Sequence, residues 1–75
     1  MFPDSEIDII PMSKGELAMM YSPHLTQRSA TRRLALWIDM NQTLLNALAQ
    51  SGYRKTARVL TAKQVGLIVE HLGEP

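Results

Sequence analysis

Apolar residues recur at helical spacing in four stretches of the chain, and turn-forming residues separate these stretches. The longest stretch covers residues 26–40, and at about 100° per residue its apolar side chains fall on one face: Ala30, Leu34, Trp37 and Ile38. Shorter periodic stretches cover residues 14–21, 42–51 and 62–72. Their expected inner faces are Leu17, Met20 and Tyr21; Leu44, Leu45, Ala47 and Leu48; and Val65, Ile68, Val69 and Leu72. The pattern predicts an all-α fold with four helices.

Capping signals agree with this periodicity. Two capping boxes are predicted, in which the cap residue and the third helical residue exchange hydrogen bonds: Ser13 with Glu16, and Thr61 with Gln64. Thr26 and Asn41 are of the residue types that cap helix N-termini. Gly52 and Gly73 are predicted to end helices, because glycine readily adopts the left-handed conformation. Periodicity and capping together place the helices at residues 14–21, 27–40, 42–51 and 62–72.

Two segments lack helical spacing. Residues 1–12 contain Pro3 and Pro11 and are predicted to form an N-terminal extended arm before a single helical domain at residues 13–75. Residues 54–59 carry Arg54, Lys55 and Arg58. That segment is predicted to be a basic loop or short wing before the last helix, such as a minimal hairpin.

Length and composition limit the functional classes. A chain of 75 residues forms one small domain that buries only about 60% of its unfolded surface. Cysteine is absent, which excludes disulfides and thiolate chemistry. The sequence has no apolar run of the roughly 18–20 residues that a membrane span needs, and its first residues are acidic where a secretory signal would be basic. We therefore expect a cytoplasmic protein without membrane contact.

Charge is distributed unevenly along the chain. Residues 1–12 have a net charge of −3, whereas residues 14–63 contain all eight Lys and Arg residues but only Glu16 and Asp39 as acids, a net charge of +6. Such an imbalance favours a polyanionic partner. The alternative is a basic surface that is only solvated.

The order of short helix, turn and longer helix is typical of a helix-turn-helix unit, whose second helix enters the major groove by its N-terminal residues. Side chains in that part of the second helix can donate to phosphates, and arginine can also reach guanine edges. The residues expected to contact nucleic acid are Arg28, Ser29, Arg32 and Arg33 on the helix and Arg54, Lys55 and Arg58 on the wing. Many small helical domains share this order of elements, so the pattern alone does not prove the unit.

Catalysis has little support in the sequence. His24 and His71 are far apart and have no cysteine nearby, whereas a zinc site needs three or four ligands. No glycine-rich phosphate loop is present. Trp37 lies on the apolar face and is expected to be a core residue rather than a base-stacking platform. We expect no enzyme activity, no cofactor and no metal.

Four motifs resemble a family of short, uncharacterised gut-bacterial proteins catalogued as a domain of unknown function: KGELAMMYSPHLT, SATRRLALWI, ALAQSGYR and LTAKQVGLIVEHLGEP. The similarity covers about residues 13–75 and implies no known activity. More distantly, GELAMMY, the polar turn and TRRLALWI resemble the helix-turn-helix of the MerR and excisionase families, with residues 51–69 matching the wing and the helix after it. The helix at residues 42–51 departs from that pattern. This resemblance implies DNA contacts at Arg28, Ser29, Arg32, Arg33 and Arg54.

Two functions are consistent with these features. The first is a small helix-turn-helix-like, transcription-regulating protein that binds double-stranded DNA without a cofactor, as a dimer or beside a partner. The alternative is a non-enzymatic adaptor that uses the acidic arm and binds another protein or a second copy of itself through Leu36 and Leu67. Both leucines are predicted to point away from the apolar faces of their helices, where an interface would need them.

Overall fold

The structure, a computed structural model, describes residues 9–75. These residues form four helices and a two-stranded sheet. In chain order the elements are β1 (Met12–Ser13), α1 (Lys14–Tyr21), α2 (Gln27–Met40), α3 (Gln42–Gln50), β2 (Val59–Leu60) and α4 (Ala62–Leu72). The prediction of a small four-helix domain is confirmed. Three helices have the predicted bounds, and α3 ends one residue before the predicted end at residue 51.

Side-chain caps begin each helix as predicted. In the box that starts α1, the Ser13 amide donates to the Glu16 carboxylate at 3.0 Å, and the Glu16 amide donates to Ser13 Oγ at 3.0 Å. Thr61 and Gln64 form the same pair of bonds at the start of α4, at 3.1 Å and 3.2 Å. These caps satisfy amides that have no partner within the helix.

The junction between α2 and α3 depends on one residue. The Asn41 amide donates to the Ile38 carbonyl at 3.1 Å, which ends α2, and Asn41 Oδ1 accepts from the Leu44 amide at 3.0 Å, which begins α3. Asn41 is therefore both the C-cap of α2 and the N-cap of α3, so the chain passes from one helix to the next without a longer loop.

A Schellman motif ends α3, as the sequence predicts. The Tyr53 amide donates to the Leu48 carbonyl at 3.0 Å, the Gly52 amide donates to the Ala49 carbonyl at 3.1 Å, and Gly52 has a φ of +90°. This is the bonding pattern that a left-handed residue after the helix permits. The motif directs the following basic segment away from the α3 axis.

All four helices and β2 contribute to one apolar core. Its buried members are Leu17, Ala18, Ala30, Leu34, Ile38, Leu44, Leu48, Leu60, Val65 and Ile68. Several other predicted inner-face residues are only partly buried: Tyr21, Trp37, Leu45, Ala47, Val69 and Leu72. The predicted helix faces therefore point towards the core, although their edges remain accessible.

The predicted burial of Met20 is wrong, because its side chain is 41% exposed. Residues Leu17 and Ala18 are fully buried, so the core-facing side of α1 lies between them. Met20 lies roughly 110° from the middle of that side at 100° per residue. A two-turn helix contains too few residues for its apolar pattern to show which side faces the core.

Residues 54–58 form the predicted basic loop, without helix or strand. Strand β2, which follows the loop, does not form a hairpin within this segment; it pairs antiparallel with β1, with Met12 opposite Leu60 and Ser13 opposite Val59. Met12, the last residue of the predicted arm, is therefore part of the sheet. Residues 1–8, which hold most of the predicted arm and all of its acidic side chains, lie outside the described residues.

No helix within residues 9–75 combines the length and the apolar character that crossing a bilayer requires. The longest described helix, α2, has 14 residues and carries three arginines.

Candidate nucleic-acid interface

A basic groove lies between the N-terminal end of α1, the first half of α2 and residues 55–58. Its volume is about 680 Å³. Its described lining includes no acidic residue and five cationic ones, which define the groove hereafter: Lys14, Arg28, Arg32, Lys55 and Arg58. Uncharged polar residues also line it: Ser13, Gln27, Thr31 and Thr56. Cations concentrated around a concave surface produce a positive potential that attracts anions.

The helical wall of the groove follows from the start of α2. Thr26 Oγ1 accepts from the Ser29 amide at 3.2 Å and fixes the first turn of the helix. Arg28 and Arg32, one turn apart, then fall on the same exposed side of α2, away from the core residues Ala30 and Leu34. The amphipathic pattern read from the sequence thus separates the two functions of this helix, packing on one side and a cationic surface on the other.

The opposite wall is the loop after α3. Within it, the Ala57 amide donates to the Arg54 carbonyl at 2.9 Å, which closes a turn. The Arg58 carbonyl accepts from the Lys14 amide at 2.8 Å, so the end of the loop is joined to the first residue of α1. This long-range bond brings Lys55 and Arg58 to the groove, whereas the sequence only indicates that they lie on a basic connector.

Lys14 is a groove residue that the sequence reasoning missed. Its side chain is only 6% exposed, and its Nζ donates to the Lys55 carbonyl at 3.2 Å. The same ammonium lies 5.0 Å from the centroid of the Tyr53 ring. No local signal marks this lysine, because both partners are about forty residues away along the chain.

Three of the residues predicted to bind nucleic acid are not part of the groove lining: Ser29, Arg33 and Arg54. All three are exposed. The Arg33 guanidinium lies over the Trp37 ring at 5.3 Å from its centroid, on the flank of α2. The structure therefore brings together Arg28, Arg32, Lys55 and Arg58 and separates them from the other predicted contacts.

Among the described acidic side chains, that of Asp39 lies next to a groove cation. Asp39 Oδ1 is 3.5 Å from Lys55 Nζ, and the two side chains are 44% and 72% exposed. Such exposed pairs contribute little to stability. The contact does place a negative charge in competition with any anion that approaches Lys55.

Trp37 is partly buried, and its ring meets Tyr21 edge to face at a centroid distance of 5.9 Å. The Tyr21 hydroxyl donates to the Gly73 carbonyl. Burial, with a smaller effect of Glu74, raises the pKa of Tyr21 to about 12. The Trp37 side chain therefore packs against Tyr21 of α1 and beneath Arg33 of its own helix, consistent with its predicted role in packing.

The pKa of Glu16 is lowered from its usual value, because the Ser13 amide and hydroxyl hydrogen-bond to its carboxylate. The carboxylate is thus engaged in the cap of α1. Among the described residues, no group of three or more His, Asp and Glu side chains is arranged to hold a metal ion.

The two leucines of the adaptor hypothesis differ in the structure. Leu36 is 55% exposed, as expected. Leu67 is partly buried and packs against the core, so its predicted outward position is wrong. Gln64, one turn earlier, is also buried, and its amide donates to Ser51, so the buried side of α4 is wider than its apolar residues indicate.

Fold and groove together define a small, mainly helical domain with a basic concave surface. The chain belongs to the DUF4248 family, a domain of unknown function, whose family profile matches residues 9–75. This match confirms the resemblance to a family of unknown function. No curated protein and no solved structure is significantly similar to the chain, so the more distant resemblance to MerR and excisionase proteins stays a prediction.

Proposed function

We propose that this protein binds double-stranded DNA through the basic groove and acts as a helix-turn-helix-like transcription regulator. The observation that carries the proposal is that two separate segments, α2 and residues 55–58, contribute cations to one groove that has no acidic residue in its described lining. Phosphate contacts supply most of the affinity of proteins for nucleic acid, and Lys and Arg are their main donors.

The side chains on α2 support duplex DNA in particular. Arg28 and Arg32 are exposed, one turn apart, and lie in the N-terminal half of the helix. In a helix-turn-helix protein this half of the second helix meets the base edges, and an arginine can bind guanine with two hydrogen bonds. Gln27 and Thr31 add neutral hydrogen-bonding groups to the same wall. Lys55 and Arg58 would then contact phosphates beside the site that α2 reads.

Salt-dependent fluorescence anisotropy with a labelled random duplex tests the proposal. Four exposed groove cations are available for phosphates: Arg28, Arg32, Lys55 and Arg58. If all four meet phosphates, the logarithm of the affinity should fall against the logarithm of the salt concentration with a slope of about −3.6. Absence of binding even at low salt would refute the proposal. Unlabelled duplex RNA and single-stranded DNA as competitors identify the preferred nucleic acid.

A charge-matched pair of variants locates the interface. Arg28→Ala/Arg32→Ala removes two groove cations and should reduce the steepness of the salt slope by about 1.8. Arg54→Ala/Lys63→Ala removes the same charge from exposed positions outside the groove lining and should leave the slope unchanged. Equal losses in both variants would show that net charge, rather than this groove, governs binding. Circular dichroism checks that both variants remain helical.

A second candidate function is a protein-interaction adaptor, which is favoured by two exposed apolar side chains on α2. Leu36 is 55% exposed and Met40, one turn later, is 75% exposed. Exposed apolar residues at adjacent positions are a feature of protein interfaces. Sedimentation of the wild type and of Leu36→Ser/Met40→Ser distinguishes this function, since a monomeric wild type with unchanged DNA binding in the variant would argue against it.

A further inference from the structure

The Lys14 side chain is buried and its charge faces the loop rather than the solvent. Lysine is rarely buried unless its ammonium has partners. Here the partners are a backbone carbonyl and an aromatic face, since Nζ lies 3.2 Å from the Lys55 carbonyl and 5.0 Å from the Tyr53 centroid. Within residues 9–75 the ammonium therefore interacts with the backbone of the loop and an aromatic ring, and not with an acidic side chain.

Lys14 contacts the loop at three successive points. Its side chain meets Tyr53 and Lys55, and its backbone amide donates to the Arg58 carbonyl at 2.8 Å. Between these points residues 54–58 have no helix or strand, and a single internal turn bond joins Ala57 to Arg54. A short irregular segment of this kind opens readily unless long-range contacts hold it. Lys14 supplies three such contacts from α1, in addition to the exposed ion pair between Lys55 and Asp39 of α2.

We propose that Lys14 is a positioning residue, whose buried ammonium fixes the loop backbone so that the Lys55 and Arg58 side chains face the Arg28 side of the groove. This inference rests on the proposed function for its consequence in DNA binding. The structural half of the inference, namely that Lys14 orders the loop, does not depend on DNA binding. A lysine that touched phosphate directly would instead need its ammonium free of the loop carbonyl.

Lys14→Met retains the aliphatic stem and removes the ammonium. Amide hydrogen exchange, followed at the Ala57 amide, should become roughly tenfold faster, as expected for loss of a hydrogen bond from a charged donor. The Leu34 amide in the middle of α2 serves as an internal reference and should be unaffected. Lys63→Met, at an exposed position of α4, is the matched charge control and should leave Ala57 exchange unchanged.

Two further variants separate loss of the ammonium from general unfolding. Lys14→Arg keeps a cation that can donate to the Lys55 carbonyl and stack on Tyr53, and it should restore slow exchange at Ala57. Tyr53→Leu removes only the ring, and it should accelerate Ala57 exchange by less than Lys14→Met does. If Lys14→Met does not fold, these two variants still test the inference. Unchanged Ala57 exchange in Lys14→Met would overturn the inference, as would unchanged exchange in Tyr53→Leu if Lys14→Met does not fold.

DNA binding provides the second readout through a double-mutant cycle. If Lys14 acts through the loop, Lys14→Met should weaken duplex binding in the wild type but have no further effect once Lys55 and Arg58 are alanine. An equal loss in both backgrounds would mean that Lys14 contacts phosphate itself and would overturn the positioning role. Should the wild type bind no DNA, the proposed function fails, while slow Ala57 exchange that depends on Lys14 would still support the structural half.

Discussion

The ion pair between Asp39 and Lys55 offers a test in which DNA affinity should increase rather than decrease. Lys55 Nζ lies 3.5 Å from Asp39 Oδ1, and both side chains are substantially exposed. Replacing Asp39 with asparagine keeps the shape of the side chain and removes its charge. Lys55 then remains in the groove lining without the Asp39 carboxylate, so a DNA phosphate can bind its ammonium instead.

The size of the effect follows from the exposure of the pair. Two unit charges 3.5 Å apart attract each other by about 1.2 kcal/mol in bulk water, and exposed ion pairs measured in proteins contribute about 0.2–1 kcal/mol. Releasing Lys55 from this attraction should therefore increase DNA affinity by up to about fivefold. Loss of the pair should lower the free energy of unfolding by less than about 1 kcal/mol.

The assay is anisotropy of a labelled duplex at low ionic strength, repeated as salt is added. The gain should be largest when the Debye length is roughly 30 Å and should shrink as salt screens the charges. Glu70→Gln is the control, because it makes the same change in net charge at an exposed position of α4 outside the groove lining. Equal gains in the two variants would refute the reasoning, as would weaker binding by Asp39→Asn.

Three further predictions concern the fold that supports the groove. Hydrogen bonds from Ser13 lower the pKa of Glu16 in the folded state below its usual value of 4.5. The ionised carboxylate therefore stabilises the fold when the pH is above 4.5, and this contribution is lost as the pH falls through the lowered pKa of the folded state. Urea unfolding at several pH values should thus show a stability gap between wild type and Glu16→Gln that closes in acid; a gap independent of pH would contradict this. Gly52→Ala should cost about 1 kcal/mol from backbone strain at a φ of +90°, since no atom lies within 4 Å of the added Cβ, and thermal unfolding measures it. Leu48→Ala, at a fully buried position, should lower the free energy of unfolding by about 3 kcal/mol in denaturant titrations, and a loss below about 1 kcal/mol would contradict tight packing there.

The helix bounds were predictable because their causes are local. A capping box involves residues three positions apart, and the Schellman motif at Gly52 involves a single turn and its exit. Periodicity likewise predicted that Arg28 and Arg32 lie on the opposite side of α2 from Leu34. Each of these features depends on residues within one helix and its ends, so the chain encodes them without reference to the rest of the fold.

Apart from the burial of Met20 in the short helix α1, the features that the sequence did not predict concern contacts between distant parts of the chain. The pairing of Met12 with Leu60 joins residues that no local pattern relates, so the sequence did not predict it. Leu67 is partly buried against the core, on a helix whose Gln64 donates a hydrogen bond to the distant Ser51. Helix α4 was predicted correctly, whereas neither of these long-range contacts was.

The sequence alone determined the four helices, their caps and the cationic side of α2, since these arise from interactions within a few residues. Only the tertiary structure decided that Lys55 and Arg58 join Arg28 and Arg32 in one groove, whereas Arg33 and Arg54 lie outside its lining. The physical reason is that the loop has no regular structure of its own. Its position depends on Lys14, whose side chain and amide bond to carbonyls about forty residues away.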